Sequence, residues 1–277
     1  MYTDDYVHGY SSRENRRLID QATTLTELLH HDTIFPAGAT VLEAGCGVGA
    51  QTVALAGNNP QARITSIDIS TESLEAAQAH VAAAGQGNVT FRQADIFNLP
   101  FAPASFDHVF VCFVLEHLAD PLAALTRLMR VIRPGGSITV IEGDHGSAYF
   151  HPDSADARAA IQCLVDLQAE MGGDPLIGRR LYPLLVGAGL QSVSVSPRMV
   201  YADASKPQLV EGFTRNTFTA MVEGVREQAL ERGLIEVARW DQGIRDLYRT
   251  AEHDGVFCYT FFKAVGFVHP ARTVHPA

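Results

Sequence analysis

Val41-Leu42-Glu43-Ala44-Gly45-Cys46-Gly47-Val48-Gly49 is the stretch on which the fold turns. A short apolar run, residues 40–44, meets alternate glycines and then a helix-forming stretch, residues 49–56. Glycines at that junction let the chain turn tightly and let backbone N–H groups come close to a ligand. The spacing is Gly-x-Gly-x-Gly, not the Gly-x-Gly-x-x-Gly of a pyrophosphate cradle. Glu43 stands two residues before the first glycine. A carboxylate there repels a pair of phosphates and favours a cationic ligand. The glycines alone leave a nicotinamide-dependent dehydrogenase turn open.

Outward from this unit, strands and helices alternate. Residues 63–69, 89–94, 106–113 and 137–142 read as further strands, and 71–84 and 121–132 as helices. Residues 106–113 are almost wholly apolar, as a strand buried on both faces must be. Ser70 is placed to cap the helix that follows, with Glu72 in its first turn and Gly85 past its end. Asp120-Pro121 is a cap followed by proline at the first helical position. Pro134-Gly135-Gly136 is expected to stop that helix ahead of the fifth strand. The alternation predicts an α/β, Rossmann-like doubly wound, mostly parallel sheet. Residues 191–201 and 256–265 complete an expected seven strands, and 154–171 and 178–188 read as helices. Upstream, Ser11-Ser12-Arg13-Glu14 fits a capping box, and Leu18, Ala22, Leu25 and Leu29 recur at helical spacing.

These elements divide the chain into an N-terminal helical segment (1–36), an α/β core (37–202), a helical insert near the C-terminus (203–254), and the last core strand with its tail (255–277). The 277 residues carry a formal charge of -10 without a basic cluster, which disfavours a nucleic-acid partner. Cys46, Cys112, Cys163 and Cys258 are far apart and form no CxxC pair, so neither a zinc site nor a disulfide framework is expected. No set of carboxylates suggests another metal. The acidic start is unlike a signal peptide, and no apolar run reaches the ~18 residues a membrane span needs. A cytoplasmic protein without membrane partner is expected.

The ordered motifs resemble the class I S-adenosylmethionine-dependent methyltransferases of small-molecule type. The matching pieces are residues 41–49, Ser-Ile-Asp-Ile-Ser at 66–70, Gln-Ala-Asp-Ile at 93–96 and Phe-Asp-His-Val-Phe at 106–110. Val-Leu-Glu-His-Leu at 114–118 and Arg-Pro-Gly-Gly at 133–136 follow, so the resemblance covers about residues 40–145. It implies S-adenosylmethionine as cofactor, with S-adenosylhomocysteine as product. It places Gly45, Cys46 and Gly47 beside the methionine part, with Glu43 supporting that end. It gives Asp68 the ribose hydroxyls and Ile69 a face of the adenine. Asp95 receives the adenine amino group, framed by Ala94 and Ile96. Phe113 lines the site near the reactive methyl, and Tyr10 closes over it. One of Arg13, Arg16 and Arg17 is expected near the cofactor carboxylate.

Methyl transfer from a sulfonium is an in-line displacement, so the protein mainly aligns nucleophile, methyl and sulfur. Where the nucleophile must lose a proton, a histidine suits neutral pH. His145, in Glu142-Gly143-Asp144-His145-Gly146, is the first candidate, oriented by Glu142 or Asp144. His117 beside Glu116 is the second, and His151 a third. The acceptor is expected to be an O, N or C atom of a small metabolite such as a specialised natural product. The insert, with Phe213, Arg215, Asn216, Phe218, Met221 and Tyr248, reads as a substrate lid or as a homodimer interface. Two other functions stay open: a nicotinamide-dependent oxidoreductase, and a cofactor-binding module without methyl transfer.

Overall fold

The computed structural model describes residues 12–269. Helix α1 (Ser12–His30) leads into β1 (Thr40–Ala44), α2 (Ala50–Asn58), β2 (Arg63–Asp68), α3 (Thr71–Ala83) and β3 (Val89–Gln93). Then come β4 (Phe106–Cys112), α4 (Pro121–Val131) and β5 (Ile132–Gly143). The order β3-β2-β1-β4-β5 is parallel throughout. The chain therefore reverses direction across the sheet between β1 and β4, and a crevice opens at the carboxyl ends of those strands.

The strands are apolar because both faces are covered. Val41 and Phe110 pack into the layer that holds Leu25, Leu55 and Leu164. Leu42, Val109 and Val111 point the other way, into the layer that holds Leu125, Leu128 and Leu185. Successive side chains of a strand alternate between faces, so a sheet clad on both sides needs an uninterrupted apolar sequence. The expected caps form: Ser73 N–H donates to Ser70 Oγ at 3.1 Å, and Ala123 N–H to Asp120 Oδ1 at 2.8 Å.

Two expectations are corrected. Pro134-Gly135-Gly136 does not separate helix from strand, because β5 already begins at Ile132. Pairing with β4 slips between Phe106↔Ile132 and His108↔Ser137, and this bulge absorbs the Pro-Gly-Gly residues, with Gly135 at φ 82°. Among the described residues the sheet also has eight strands, not seven. The added one is β6 (Tyr149–His151), which pairs with β8 (Val256–Phe267) where β5 runs out. Strand β8 is twelve residues long, enough to carry β5 and β6 on one edge and β7 (Gln191–Ala202) on the other, all antiparallel.

Helices α5 (Ala155–Glu170) and α6 (Leu181–Gly187) lie between β6 and β7. The insert between β7 and β8 comprises α7 (Pro207–Leu209), a π-helical run Val210–Thr219, α8 (Ala220–Glu223), α9 (Arg226–Glu231) and α10 (Val237–Arg249). A π-helix of ten residues is rare, and such irregularities concentrate at functional sites. It lies hard against α1: a Cβ on Gly212 would come within 2.2 Å of Thr24 Oγ1. Among the described residues no helix is long and apolar enough to cross a membrane.

His30, at the end of α1, is fully buried beside Phe110, and its Nε2 lies 2.7 Å from Gln51 Oε1. Burial drives its pKa down to about 4. The unfolded chain binds this proton near pH 6.5, so the stability from burying neutral imidazole is present above that pH and is lost as pH falls towards 4. His30→Phe is expected to remove about 2 kcal/mol of acid destabilisation between pH 7 and pH 4.5. Urea melts at the two pH values measure it. An unchanged difference between wild type and variant contradicts this account of His30.

Candidate active site

The carboxyl ends of β1, β2, β4 and β5 open into a cavity of about 420 Å³, within the usual range for a small-molecule site. Glu43, Gly45, Cys46, Gly47, Asp68, Ile69, Ala94, Asp95, Ile96, Phe113 and His145 all line it. Tyr10 lies outside the described residues. Helix α1 contributes Arg17, Leu18 and Gln21, and the insert contributes Phe213, Thr217, Phe218 and Met221.

Glu43 is buried, and Ser66 Oγ and Thr52 Oγ1 both donate to its Oε2, at 2.6 and 2.8 Å. Burial still outweighs those bonds and raises its pKa to about 7, with the charge of Asp68 adding to the rise. A buried carboxyl at that threshold is a latent anion that a cationic ligand would draw out. Asp68 holds the glycine turn: Gly47 N–H donates to its Oδ2 at 2.8 Å, and Ser70 N–H to its Oδ1 at 2.9 Å. Asp95 caps a short 3-10 turn, accepting from Phe97 N–H at 2.8 Å. Ile69 is 58 % exposed at the cavity lip, so its apolar side chain is open to a ligand there. A Cβ on Gly47 would meet no atom within 4 Å, so the bare backbone leaves room on the cavity side.

Phe113 closes β4 with φ 59°, in the left-handed region that bulky residues avoid. Its N–H donates to Ile141 O at 2.9 Å, and its ring tilts against Phe261 with centroids 5.4 Å apart. Such strain persists only where the surroundings enforce it.

The inner end of the cavity is polar and corrects the expected partners of His145. Its orienting acid is neither Glu142 nor Asp144. Glu142, fully buried, accepts from Val114 and Leu115 N–H at 3.0 and 2.8 Å, which pins the loop after β4. Asp144 is taken by Arg179, with two bonds of 2.6 and 2.7 Å. The carboxylate that meets His145 belongs to Glu116, whose Oε2 lies 3.6 Å from Nε2. Glu116 Oε1 stands equally far from His117 Nε2, and Gln168 Nε2 donates to Oε2 at 3.2 Å. On the other side, His145 Nδ1 is 2.8 Å from Tyr259 Oη. Burial would raise the pKa of Glu116, but His117, His145 and Gln168 hold it below the ordinary value. Burial and the charge of Glu116 together push Glu142 well above its own, so the pair titrates apart, Glu116 before Glu142. Burial lowers His145 against the pull of Glu116, which leaves a neutral imidazole at pH 7. His117 also faces the cavity, whereas His151 is on β6 and does not line it.

Arg17 is the member of the Arg13, Arg16 and Arg17 group whose side chain is described; its Nη1 donates to Gln21 Oε1 at 3.0 Å. Sequence reasoning missed Gln168, Tyr259 and Phe261 altogether, and noticed Glu116 only as a neighbour of His117. They come from three separate segments, and no local spacing links those segments.

Residues 42–140 match the methyltransferase domain family. Two curated relatives extend the likeness. The 27-O-demethylrifamycin SV methyltransferase of Amycolatopsis mediterranei is 29 % identical over 243 residues, 87 % of this chain and 82 % of that one. The O-methyltransferase cnsE of Penicillium expansum is 36 % identical over 161 residues, 57 % of this chain and 54 % of that one. Residues 42–140 form a methyltransferase domain. The likeness of fold extends beyond that stretch: YcgJ from Bacillus subtilis superposes with a TM-score of 0.56 at 16 % identity, covering 91 % of this chain and 99 % of its own. The chain spans about half the length of most of the curated relatives it matches. The glycine turn, Asp68 and Asp95 lie inside the matched methyltransferase stretch, whereas His145, Gln168 and Tyr259 lie beyond it.

Proposed function

We propose that this protein transfers a methyl group from S-adenosylmethionine to an oxygen atom of a small, largely apolar metabolite. The observation that carries the reading is one cavity with two chemically different ends. Acids and a bare glycine turn stand at one end, and a neutral imidazole backed by a carboxylate stands at the other. The first end fits the cofactor. Glu43 favours its positive charge, Asp68 and Asp95 offer acceptors to hydroxyl and amino groups, and Ile69 gives an apolar face to a flat ring. When bound, the cofactor supplies a methyl group activated by its sulfonium.

The chain's own residues then have three tasks. Phe113 and Phe261 shape the wall between the two ends. His145 holds the proton that an acceptor hydroxyl must give up, and Glu116 stabilises the imidazolium that results. The insert acts as a lid that excludes water, a reading supported by Phe213, Thr217, Phe218 and Met221 along the cavity. Helix α1 lines the cavity through Arg17, Leu18 and Gln21. The two relatives named for O-methyl chemistry support oxygen as the accepting atom.

The test is incubation with methyl-labelled S-adenosylmethionine and a panel of phenols, enols and macrocyclic alcohols, read by mass spectrometry. The expected result is label in at least one hydroxylated member, with S-adenosylhomocysteine in equal amount. Cofactor binding without label in any member would favour a binding module instead.

A further inference from the structure

We infer that Tyr259 is a catalytic residue: its phenolic oxygen takes the proton of the acceptor hydroxyl and passes its own to His145. This rests on the methyl-transfer reading above. The imidazole has no nitrogen to spare for an acceptor, since Nδ1 faces Tyr259 Oη at 2.8 Å and Nε2 faces Glu116 at 3.6 Å. Tyr259 does reach the cavity, and its hydroxyl lies over the bare backbone of Gly143, where a Cβ would come within 2.4 Å of it. Gly143 ends β5, so the phenol stands at the carboxyl end of a central strand. The ring is fixed there by Phe213, Phe218 and Phe261, with centroids 5.6, 5.4 and 4.7 Å away.

The direction of transfer follows from the neighbours. The imidazole carries its proton on Nε2, towards the carboxylate of Glu116, so the phenol's own proton is aimed at the lone pair of His145 Nδ1. The reverse tautomer would set a nitrogen lone pair against an anion. During transfer the acceptor O–H bond breaks and its proton moves to Tyr259 Oη, as the Tyr259 proton moves to His145 Nδ1. The acceptor oxygen forms a bond to the methyl carbon while sulfur keeps the electron pair of the broken S–C bond. The sulfonium becomes a neutral thioether, and the positive charge ends on His145 beside Glu116.

Two measurements test this. Long-range 1H–15N correlation spectra of the full chain, with His145 assigned through His145→Gln, are expected to show the Nε2–H tautomer. Tyr259→Phe is expected to lower kcat for methylation of 2-naphthol at least ~100-fold, the low end for general acid–base catalysis, while Kd for S-adenosylmethionine stays within about threefold. An Nδ1–H tautomer in the wild type, or wild-type turnover by Tyr259→Phe, would overturn the relay. Failure of the wild type to bind S-adenosylmethionine would sink the methyltransferase reading instead. The tautomer, recorded without cofactor, still decides the direction of the chain.

Discussion

Glu43→Gln is expected to stabilise the ligand-free protein by about 2–3 kcal/mol at pH 8 and hardly at all at pH 5. The folded pKa of about 7 lies above the ordinary 4.5 of a glutamate. The fold thus favours the protonated form: its stability is intact below pH 4.5 and is lost as pH rises through 7. Glutamine removes that loss and keeps an oxygen to accept from Ser66 and Thr52. The same change should weaken S-adenosylmethionine binding by ~10- to 100-fold, the worth of a buried charge-assisted contact. It should also abolish the roughly tenfold tightening of wild-type binding from pH 6 to pH 8, which comes from ionising Glu43. Thermal melts at pH 5 and pH 8 and calorimetry at pH 6 and pH 8 give these numbers. Equal stability of variant and wild type at pH 8 would show that Glu43 is ionised without penalty.

Gly45→Ala is expected to cost about 2–4 kcal/mol, adding left-handed backbone strain to overpacking. Gly45 has φ 79°, and a Cβ there would lie 2.5 and 3.0 Å from the two methyl groups of Val114. Valine is stiff, and the Val114 N–H is held by Glu142, so the neighbour cannot swing away. Val114→Ala in the same chain removes the clash and leaves the strain. The double variant should recover about half of the loss, as overpacking and strain are of similar size. Full additivity of the two substitutions in urea melts would mean that the two groups do not meet.

The end of the cavity proposed for the cofactor was legible as a cluster because its parts are local. A glycine turn after one strand, and acids closing the next two, sit within residues 43–95 and follow from strand–helix alternation. The acceptor end was not legible. His145 finds Tyr259 only through the antiparallel pairing of β8 with β5, 114 positions along the chain. Glu116 reaches His145 because the loop after β4 folds inward, while nearer acids have other duties: Asp144 binds Arg179, and Glu142 pins the Val114 and Leu115 amides. Proximity in sequence therefore paired His145 with acids that the fold commits elsewhere. The π-helical run escaped too, since its defining bonds come from packing against α1 and not from composition. The eighth strand is three residues long and exists because β8 outruns β5.

Calorimetric titration of the purified full chain with S-adenosylmethionine, beside NADH and beside Asp68→Ala, tests the central claim most directly. The account predicts one site per chain for S-adenosylmethionine, at least ~30-fold weaker in the variant after loss of a charge-assisted acceptor, and no heat with NADH. Heat with NADH and none with S-adenosylmethionine, in protein shown to carry no co-purified cofactor, would contradict it.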